Sequence, residues 1–169
     1  MEDIIIREAQ EKDAEQLLLF MKQVGGESDN LTFGPEGLPF SVEEEKEFIK
    51  ATKEDEHSVM YLAFLGETII GDVSLRGLPR RMSHRCEMGI SVAKSHWNKG
   101  VGSALLDKAV AYAKSHDAKI INLEVKQDNL GAIHLYEKFG FQRIGTSPAF
   151  HKIGDEYVDF ELMYLDLRD

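Results

Sequence analysis

Residues 86–103 read CEMGISVAKSHWNKGVGS, and this stretch decides the fold. Apolar residues alternate with small or charged ones over residues 86–92, which predicts a strand. A short loop follows, and Gly100 and Gly102 open a predicted helix that runs to about Ser115. Glycines let the backbone approach a ligand closely, and the free N–H groups of a first helical turn attract an anion. The stretch therefore predicts a phosphate or pyrophosphate site, although a glycine-opened helix without a ligand is also common.

A second segment, NLGAIHLYEKFGF at residues 129–141, follows one strand later. Its residue types predict a short helix that Asp128 or Asn129 caps and that Gly140 ends. Taken alone, Tyr136 also fits a tyrosine that merely packs on the apolar side of this helix. The segment gains a functional meaning only together with the glycine turn before it.

The remaining chain predicts a sheet built from early hairpins and a later strand-helix-strand unit. In chain order we expect a strand at 4–6, a helix at 12–24, a loop at 27–40, a helix from 41 to about 51, strands at 59–65, 68–75 and 84–92, a helix at 100–115, a strand at 119–126, a helix ending at 139–140, and strands at 142–153 and 156–166. Gly25 and Gly26 are expected to stop the first helix, and Ser41 is expected to cap the second. This order implies a mixed sheet with helices on its faces.

Length and composition favour one ordinary globular domain spanning residues 1–169. The chain has 169 residues and a mass of 19.1 kDa, and 43% of its residues are apolar. A typical domain has roughly 100 to 200 residues, so two domains would both have to be very small. We see no internal repeat, linker or low-complexity segment.

The net charge of −10 argues against extended nucleic acid and against an anionic membrane as the main partner, since both require a basic surface. The single cysteine, Cys86, cannot form an internal disulfide and fits a reducing compartment. The chain starts with acidic residues where a signal peptide would be basic, and its longest apolar run is too short to span a bilayer. We therefore expect a cytoplasmic protein.

Charge is unevenly distributed along the chain. Between Arg76 and Lys99 the only acidic residue is Glu87, whereas the basic ones are Arg76, Arg80, Arg81, Arg85, Lys94 and Lys99. This basic stretch suggests an anionic ligand, although a solvated hairpin tip explains its arginines equally well. Acidic residues of the loop, Glu27, Asp29 and Glu36, could attract a cationic partner or could serve solubility alone.

Together the two segments resemble the GNAT superfamily of acetyl-CoA-dependent N-acetyltransferases. The family pairs a Gln/Arg-x-x-Gly-x-Gly/Ala turn with an Asn-x-x-Ala-x-x-Leu-Tyr-x-Lys-x-Gly-Phe segment about thirty residues later. Here the turn is residues 97–102, and residues 129–141 match at every position. The resemblance covers Ile4 to Leu165. It implies an α/β (α+β) fold with a mixed, mostly antiparallel, twisted sheet of about seven strands flanked by four helices.

The resemblance also implies which residues bind acetyl-CoA as co-substrate. Backbone groups of Ile90, Ser91 and Val92 would hydrogen-bond the pantetheine arm, and those of Trp97, Asn98, Lys99, Gly100, Val101, Gly102 and Ser103 would hold the pyrophosphate. Asn129 would touch the pantetheine or its phosphate side, and Tyr136 would lie beside the thioester sulfur. Trp97 departs from the family's Gln or Arg, which puts in doubt any side-chain contact expected there.

The implied reaction is direct attack of a primary amine on the acetyl thioester, with no metal. Tyr136 would then donate its phenolic proton to the coenzyme A thiolate. Glu87 and Glu124 are the candidates for the general base, directly or through a water, although each also fits a strand-edge carboxylate that pairs with a neighbouring cation. The six histidines show no metal-ligand spacing. The resemblance does not name the amine, and a homodimer through the C-terminal strands would be usual for it.

Two other functions compete with this one. A dinucleotide-dependent oxidoreductase would use Gly100 and Gly102 with Glu124 as the ribose-binding acid, but Leu105 stands at the third glycine position. An acetyl-CoA-binding sensor or structural module without turnover would retain the same coenzyme motifs. The intact glycine turn and Tyr136 favour an enzyme.

Overall fold

The computed structural model describes residues 3–169 and contains the predicted elements in the predicted order. They are β1 (Ile4–Glu8), α1 (Ala14–Glu27), α2 (Val42–Glu54), β2 (Val59–Leu65), β3 (Thr68–Gly77), β4 (Arg85–Val92), α3 (Val101–Ser115), β5 (Ile120–Lys126), α4 (Leu130–Lys138), β6 (Gln142–Ile153) and β7 (Glu156–Asp166). Short 3₁₀ turns lie at Glu11–Asp13, Arg80–Met82 and Lys94–His96.

The strands form one seven-stranded sheet in the order β1-β2-β3-β4-β5-β7-β6. Neighbouring strands are antiparallel except for β4 and β5, which are parallel. The crossover between these two strands is α3, as a parallel connection requires. The expected mixed, mostly antiparallel sheet with four helices is confirmed.

Each face of the sheet carries its own apolar cluster. One cluster joins the sheet to α3 and α4 and includes the fully buried Leu105, Leu106 and Ile121. The other joins α1 and α2 to the sheet and includes Leu17 and Leu62. We call these two sides the α3/α4 face and the α1/α2 face.

Strand register determines which polar residues lie on the α1/α2 face. Residues that are directly opposite each other in an antiparallel pair share a face. Leu62 packs on this face and lies opposite Asp72, which in turn lies opposite Ser91. The same alternation places Ser74 with Gly89, and Arg76 with Glu87, on the α1/α2 face.

The parallel pair β4 and β5 separates after a short contact. Its paired residues are Arg85 with Ile120, Cys86 with Ile121, and Glu87 with Asn122. Beyond Glu87, β4 continues to Val92 beside β3, and β5 continues to Lys126 beside β7. We call the gap between residues 88–92 of β4 and residues 123–126 of β5 the fork.

The first helix runs through Gly25 and Gly26 to Glu27, so the prediction that these glycines end it is wrong. The reason lies in the loop that follows. A Cβ atom on Gly25 would lie 2.1 Å from the carbonyl oxygen of Gly34. Gly25 is therefore needed for close approach of the loop to the helix, and not for helix termination.

The two predicted helix caps are present. The Ser41 hydroxyl accepts a hydrogen bond from the Glu44 N–H at 3.1 Å, and the Asn129 side chain accepts one from the Ala132 N–H at 3.4 Å. After Phe139, Gly140 adopts a φ of +96°, a left-handed conformation that ends α4. Over residues 3–169, no helix has both the length and the apolar character needed to cross a bilayer.

Candidate functional site

The backbone of β4 presents unpaired polar groups to the fork. In an antiparallel pair, successive residues direct their N–H and C=O groups alternately towards the partner and away from it. The Ala93 N–H donates to the Ile70 carbonyl at 2.9 Å, so the backbone groups of Ser91 also face β3. Those of Ile90 and Val92 consequently face the fork, where β5 no longer pairs with β4. Of the three residues expected to bind the pantetheine arm, only Ile90 and Val92 direct their backbone groups into the fork.

One of these fork-facing groups already has a partner. The indole N–H of Trp97 donates to the Val92 carbonyl oxygen at 2.8 Å. The Lys94 ammonium lies 5.7 Å from the centre of the same ring. Trp97 thus ties the end of β4 to the loop before α3 by a side-chain contact.

The loop before α3 turns sharply towards the first turn of the helix. Asn98 and Gly100 have φ values of 59° and 85°, both left-handed. Apart from Gly100 and its two chain neighbours, no atom of residues 3–169 lies within 4 Å of a Cβ atom built on Gly100, so there is open space beside it. The first intrahelical bond runs from the Ala104 N–H to the Gly100 carbonyl, which leaves the N–H groups of residues 101–103 without an intrahelical acceptor. These groups can hold an anion such as a pyrophosphate.

Tyr136 lies on the α3/α4 face, where it belongs to the same apolar cluster as Phe141. Its side chain is buried, with 6% of its surface exposed, and burial raises the pKa of its phenol. The phenol consequently stays protonated through the neutral range and can act as a proton donor. Asn129, at the start of the same helix, uses its side-chain oxygen as the helix cap.

A cleft of about 430 Å³ lies on the α1/α2 face and reaches the fork. Its walls come from α2, β2, β3, β4 and β5, and from the segment between α2 and β2. The lining residues are Phe48, Ala51, Thr52, Asp55, Ser58, Met60, Ser74, Leu75, Arg76, Glu87, Met88, Gly89 and Glu124. Met88, Gly89 and Glu124 lie just beyond the last residue pair of β4 and β5. A molecule in this cleft would therefore meet a molecule in the fork.

The two candidate bases both line the cleft but differ in their environments. Glu87 accepts a hydrogen bond from the Arg76 guanidinium at 2.5 Å and is thereby engaged in an ion pair. Partial burial raises the pKa of Glu124, and the nearby negative charge of Glu87 raises it further. A raised pKa suits a carboxylate that must accept a proton near neutral pH, so Glu124 is the better placed of the two.

Sequence reasoning missed a group of three polar residues on the same face. Asp72 and Glu45 are 6% and 1% exposed, and the Ser91 hydroxyl donates to the Asp72 carboxylate. The only signal in the sequence was an aspartate inside the apolar run of β3. No periodicity could show that a glutamate of α2 faces it.

The charged segments lie elsewhere than expected. Arg80 and Arg81 precede β4, whereas the glycine turn follows its other end, roughly 23 Å away for an eight-residue strand. The basic stretch therefore does not act as one patch at the anion site. Glu27 accepts from the Lys94 N–H at 3.0 Å, and the acidic residues that line the cleft are Asp55, Glu87 and Glu124 instead of the loop residues.

Cys86 is a buried residue of β4, and burial raises the pKa of its thiol to about 11. A thiol with this pKa is a poor nucleophile at neutral pH. Cys86 is therefore a structural residue of its strand.

Comparison with known proteins places this geometry in a family. The family model described as "Acetyltransferase (GNAT) family" matches residues 28–141. A GNAT acetyltransferase structure from Streptococcus pneumoniae is 30% identical, superposes with a TM-score of 0.94, and the match covers 98% of this chain and all of that one. The streptothricin acetyltransferase of Escherichia coli is 29% identical over 119 residues, which is 70% of this chain and 67% of the relative.

A further structure, yncA from Salmonella typhimurium, was solved with its cofactor acetyl-CoA. It is 15% identical, has a TM-score of 0.86, and the match covers 99% of this chain and 95% of that one, so it supports the fold. The expected resemblance is confirmed by the family model over more than half of the chain. The chain belongs to the acetyltransferase (GNAT) family of acyltransferase enzymes.

Proposed function

We propose that this protein transfers the acetyl group of acetyl-CoA to a cationic primary amine by direct attack in a ternary complex. The observation that carries the proposal is the fork, where β4 offers backbone groups of Ile90 and Val92 beside a cleft that opens from the α1/α2 face. An extended ligand can pair with such an open strand edge as an added strand would. The cleft then supplies a separate place for the amine.

In this arrangement the two ends of the coenzyme have different partners. The pantetheine arm lies in the fork along β4, and the pyrophosphate takes the free N–H groups at the start of α3. Trp97, Asn98, Lys99 and Gly100 shape the turn between them, and Asn129 borders the arm from α4. The open space beside Gly100 leaves room for the phosphates.

The chemistry requires a base on one side of the thioester and an acid on the other. Glu124, on the α1/α2 face, accepts the proton that the ammonium loses, directly or through a water. The neutral amine then attacks the acetyl carbon, the C–N bond forms, and the C–S bond breaks. Tyr136, on the opposite face, gives its proton to the departing thiolate. The second proton that the nitrogen loses on becoming an amide passes to solvent, from which the Tyr136 phenol is reprotonated. Glu124 and Tyr136 thus lie on opposite faces of the sheet, and the fork is the opening between them.

The lining of the cleft favours an amine that carries a positive charge on an apolar stem. Phe48, Met60 and Met88 provide apolar surface. The three carboxylates in the cleft face a single arginine, which is already paired with Glu87. The Escherichia coli relative is named for streptothricin, which makes this compound the first acceptor to test.

Coenzyme A release from acetyl-CoA, followed with a thiol reagent, tests the proposal. The amines are streptothricin, a free L-amino acid, L-lysine amide and a peptide with a free α-amino group. We expect release that depends on at least one amine, with the N-acetylated product confirmed by mass spectrometry. If acetyl-CoA binds but no amine causes release, the protein is a sensor or structural module.

A further inference from the structure

Two carboxyl groups lie buried on the α1/α2 face, and neither forms an ion pair with a cation of residues 3–169. Asp72 on β3 and Glu45 on α2 are both almost fully buried, and the negative charge of Glu45 acts on Asp72. The Oε2 atom of Glu45 has no hydrogen-bond partner among residues 3–169. Burying a carboxylate without a partner costs free energy. The presence of two buried carboxyl groups, one on β3 and one on α2, therefore needs an explanation.

Ser91 connects the pair to the binding region. Its hydroxyl proton is directed to the Asp72 carboxylate. A serine hydroxyl has one donor and two acceptor positions, so Ser91 in this state can only accept further hydrogen bonds. The residue is partly exposed.

Ser91 is the next residue on the α1/α2 face of β4 after the residues that line the cleft. Gly89, which lines the cleft, is two residues earlier on the same face of β4, about 7 Å along the strand. The neighbouring residues Ile90 and Val92 direct their backbone groups into the fork. Ser91 therefore adjoins the fork residues Ile90 and Val92 and follows Gly89 of the cleft along the same face of β4.

We propose that the Ser91 hydroxyl oxygen accepts a hydrogen bond from an N–H group of the cationic acceptor, and that Asp72 and Glu45 are positioning residues that keep the Ser91 proton turned away from it. This role rests on the acetyl transfer proposed above and adds a specificity-determining contact to it. A cationic donor is favoured because the ionised Asp72 lies directly behind the hydroxyl.

The charge state of Asp72 controls this contact. The groups that face it are Ser91 from β4, Glu45 from α2 and the apolar Leu62 from β2. Burial, opposed by the Ser91 hydrogen bond and aided by Glu45, raises the pKa of Asp72 to about 7. Below that pH Asp72 is protonated, competes as a donor to Ser91 and weakens the acceptor site. The KM for the amine should consequently fall as the pH rises through about 7.

Ser91→Ala and Ser91→Thr test the contact itself. With the fastest amine of the panel at pH 8, Ser91→Ala should raise the KM for that amine about tenfold, because a hydrogen bond to a charged group is lost. Ser91→Thr keeps the hydroxyl and should stay within about twofold of the wild type. The KM for acetyl-CoA should change little in either variant, since the backbone groups of Ser91 face β3. An unchanged amine KM in Ser91→Ala would overturn the proposal.

Glu45→Gln tests the positioning role through a readout that a purely structural residue would not move. Removing the negative charge of Glu45 lowers the pKa of Asp72, so the fall in amine KM should shift to lower pH by roughly half a unit or more. Glu43→Gln, an exposed residue of the same helix, should leave the midpoint in place. An identical midpoint in Glu45→Gln and the wild type would contradict the role of the pair. If the wild type releases no coenzyme A with any amine of the panel, both this inference and the proposed function are overturned. If the wild type turns over and the Ser91 and Glu45 variants have its amine KM and pH midpoint, this inference alone is overturned.

Discussion

Glu87 lies opposite Asn122, and this pair is the last contact between β4 and β5. Beyond it the two strands diverge, although both continue beside their other neighbours. The separation leaves a strand edge without a partner in the middle of a sheet, a position where an unpaired N–H group is otherwise rare. We propose that the coenzyme binds in this gap and that the amine binds in the cleft beside it.

Trp97 is expected to support acetyl-CoA binding through the Val92 carbonyl. Trp97→Phe removes the indole N–H but retains an aromatic ring near Lys94. The loss of one hydrogen bond of about 1 kcal/mol should weaken acetyl-CoA binding about fivefold, which isothermal titration calorimetry measures. Trp97→Gln restores an N–H donor of the type that the family carries here and should bind more tightly than Trp97→Phe. Equal affinity of the wild type and Trp97→Phe would show that this hydrogen bond is irrelevant to binding.

Gly25 and Gly26 should respond in opposite ways to the same substitution. Gly25→Ala places a Cβ atom 2.1 Å from the Gly34 carbonyl oxygen and should destabilise the protein by about 2 kcal/mol or more. Gly26→Ala meets only Pro35, at 3.4 Å, and should stabilise α1 by about 0.5 kcal/mol because alanine favours a helix. Urea unfolding of the two variants measures the difference. Equal destabilisation of both would mean that the loop does not pack against Gly25.

Tyr136→Phe should lower kcat by about a hundredfold to ten-thousandfold, the range expected for loss of a general acid. The dissociation constant of acetyl-CoA should stay within about twofold, because the phenylalanine ring keeps the packing against Phe141. Tyr157→Phe removes an exposed phenol and is the matched control, with no change expected. Turnover at the wild-type rate in Tyr136→Phe would remove the residue from the chemistry.

Glu124 should give an acidic limb to the pH profile of kcat, measured at saturating amine, whereas Asp72 acts on the amine KM. A base acts in its deprotonated form, and the pKa of Glu124 is raised above its ordinary value of 4.5, so activity should rise with pH through a midpoint above that value. Glu87→Gln removes a neighbouring negative charge and frees Arg76, and both changes lower the pKa of Glu124. The limb should therefore move to lower pH in Glu87→Gln.

The matched comparison for this base is Glu124→Gln. The substitution keeps the size of the side chain but cannot take up a proton, so it should lower kcat and remove the limb that Glu124 causes. If Glu124→Gln retains the wild-type profile, another group or the free amine supplies the base. If Glu87→Gln removes the limb and Glu124→Gln does not, the roles of the two carboxylates are exchanged.

The sequence predicted the order of elements because that order depends on local signals. Ser41 and Asn129 carry capping side chains, and Gly66 marks the hairpin between β2 and β3. The Gly25–Gly26 pair misled the prediction because glycine serves two purposes. Helix ends use it for left-handed backbone, whereas crowded contacts use it for its missing side chain, and only the fold distinguishes them.

The candidate site was predictable where motif residues are adjacent in the chain and unpredictable where they meet through the fold. Residues 97–103 lie together because they are one turn. The facing of Glu45 and Asp72 depends on how α2 docks on the sheet, and the Arg76–Glu87 ion pair depends on strand register. The separation of Arg80 from the glycine turn likewise follows from the length of β4, which charge counting cannot show.

Amide hydrogen exchange at Ile90, Ser91 and Val92, read residue by residue by NMR with and without saturating acetyl-CoA, tests the fork most directly. Without ligand, the Ile90 and Val92 amides should exchange faster than the Ser91 amide, which faces β3. Acetyl-CoA should slow exchange at Ile90, Val92 or both by about tenfold or more and leave Ser91 little changed, because the pantetheine arm then accepts from the open edge. Unaltered exchange at both residues while acetyl-CoA is bound would contradict the claim that the coenzyme lies along β4.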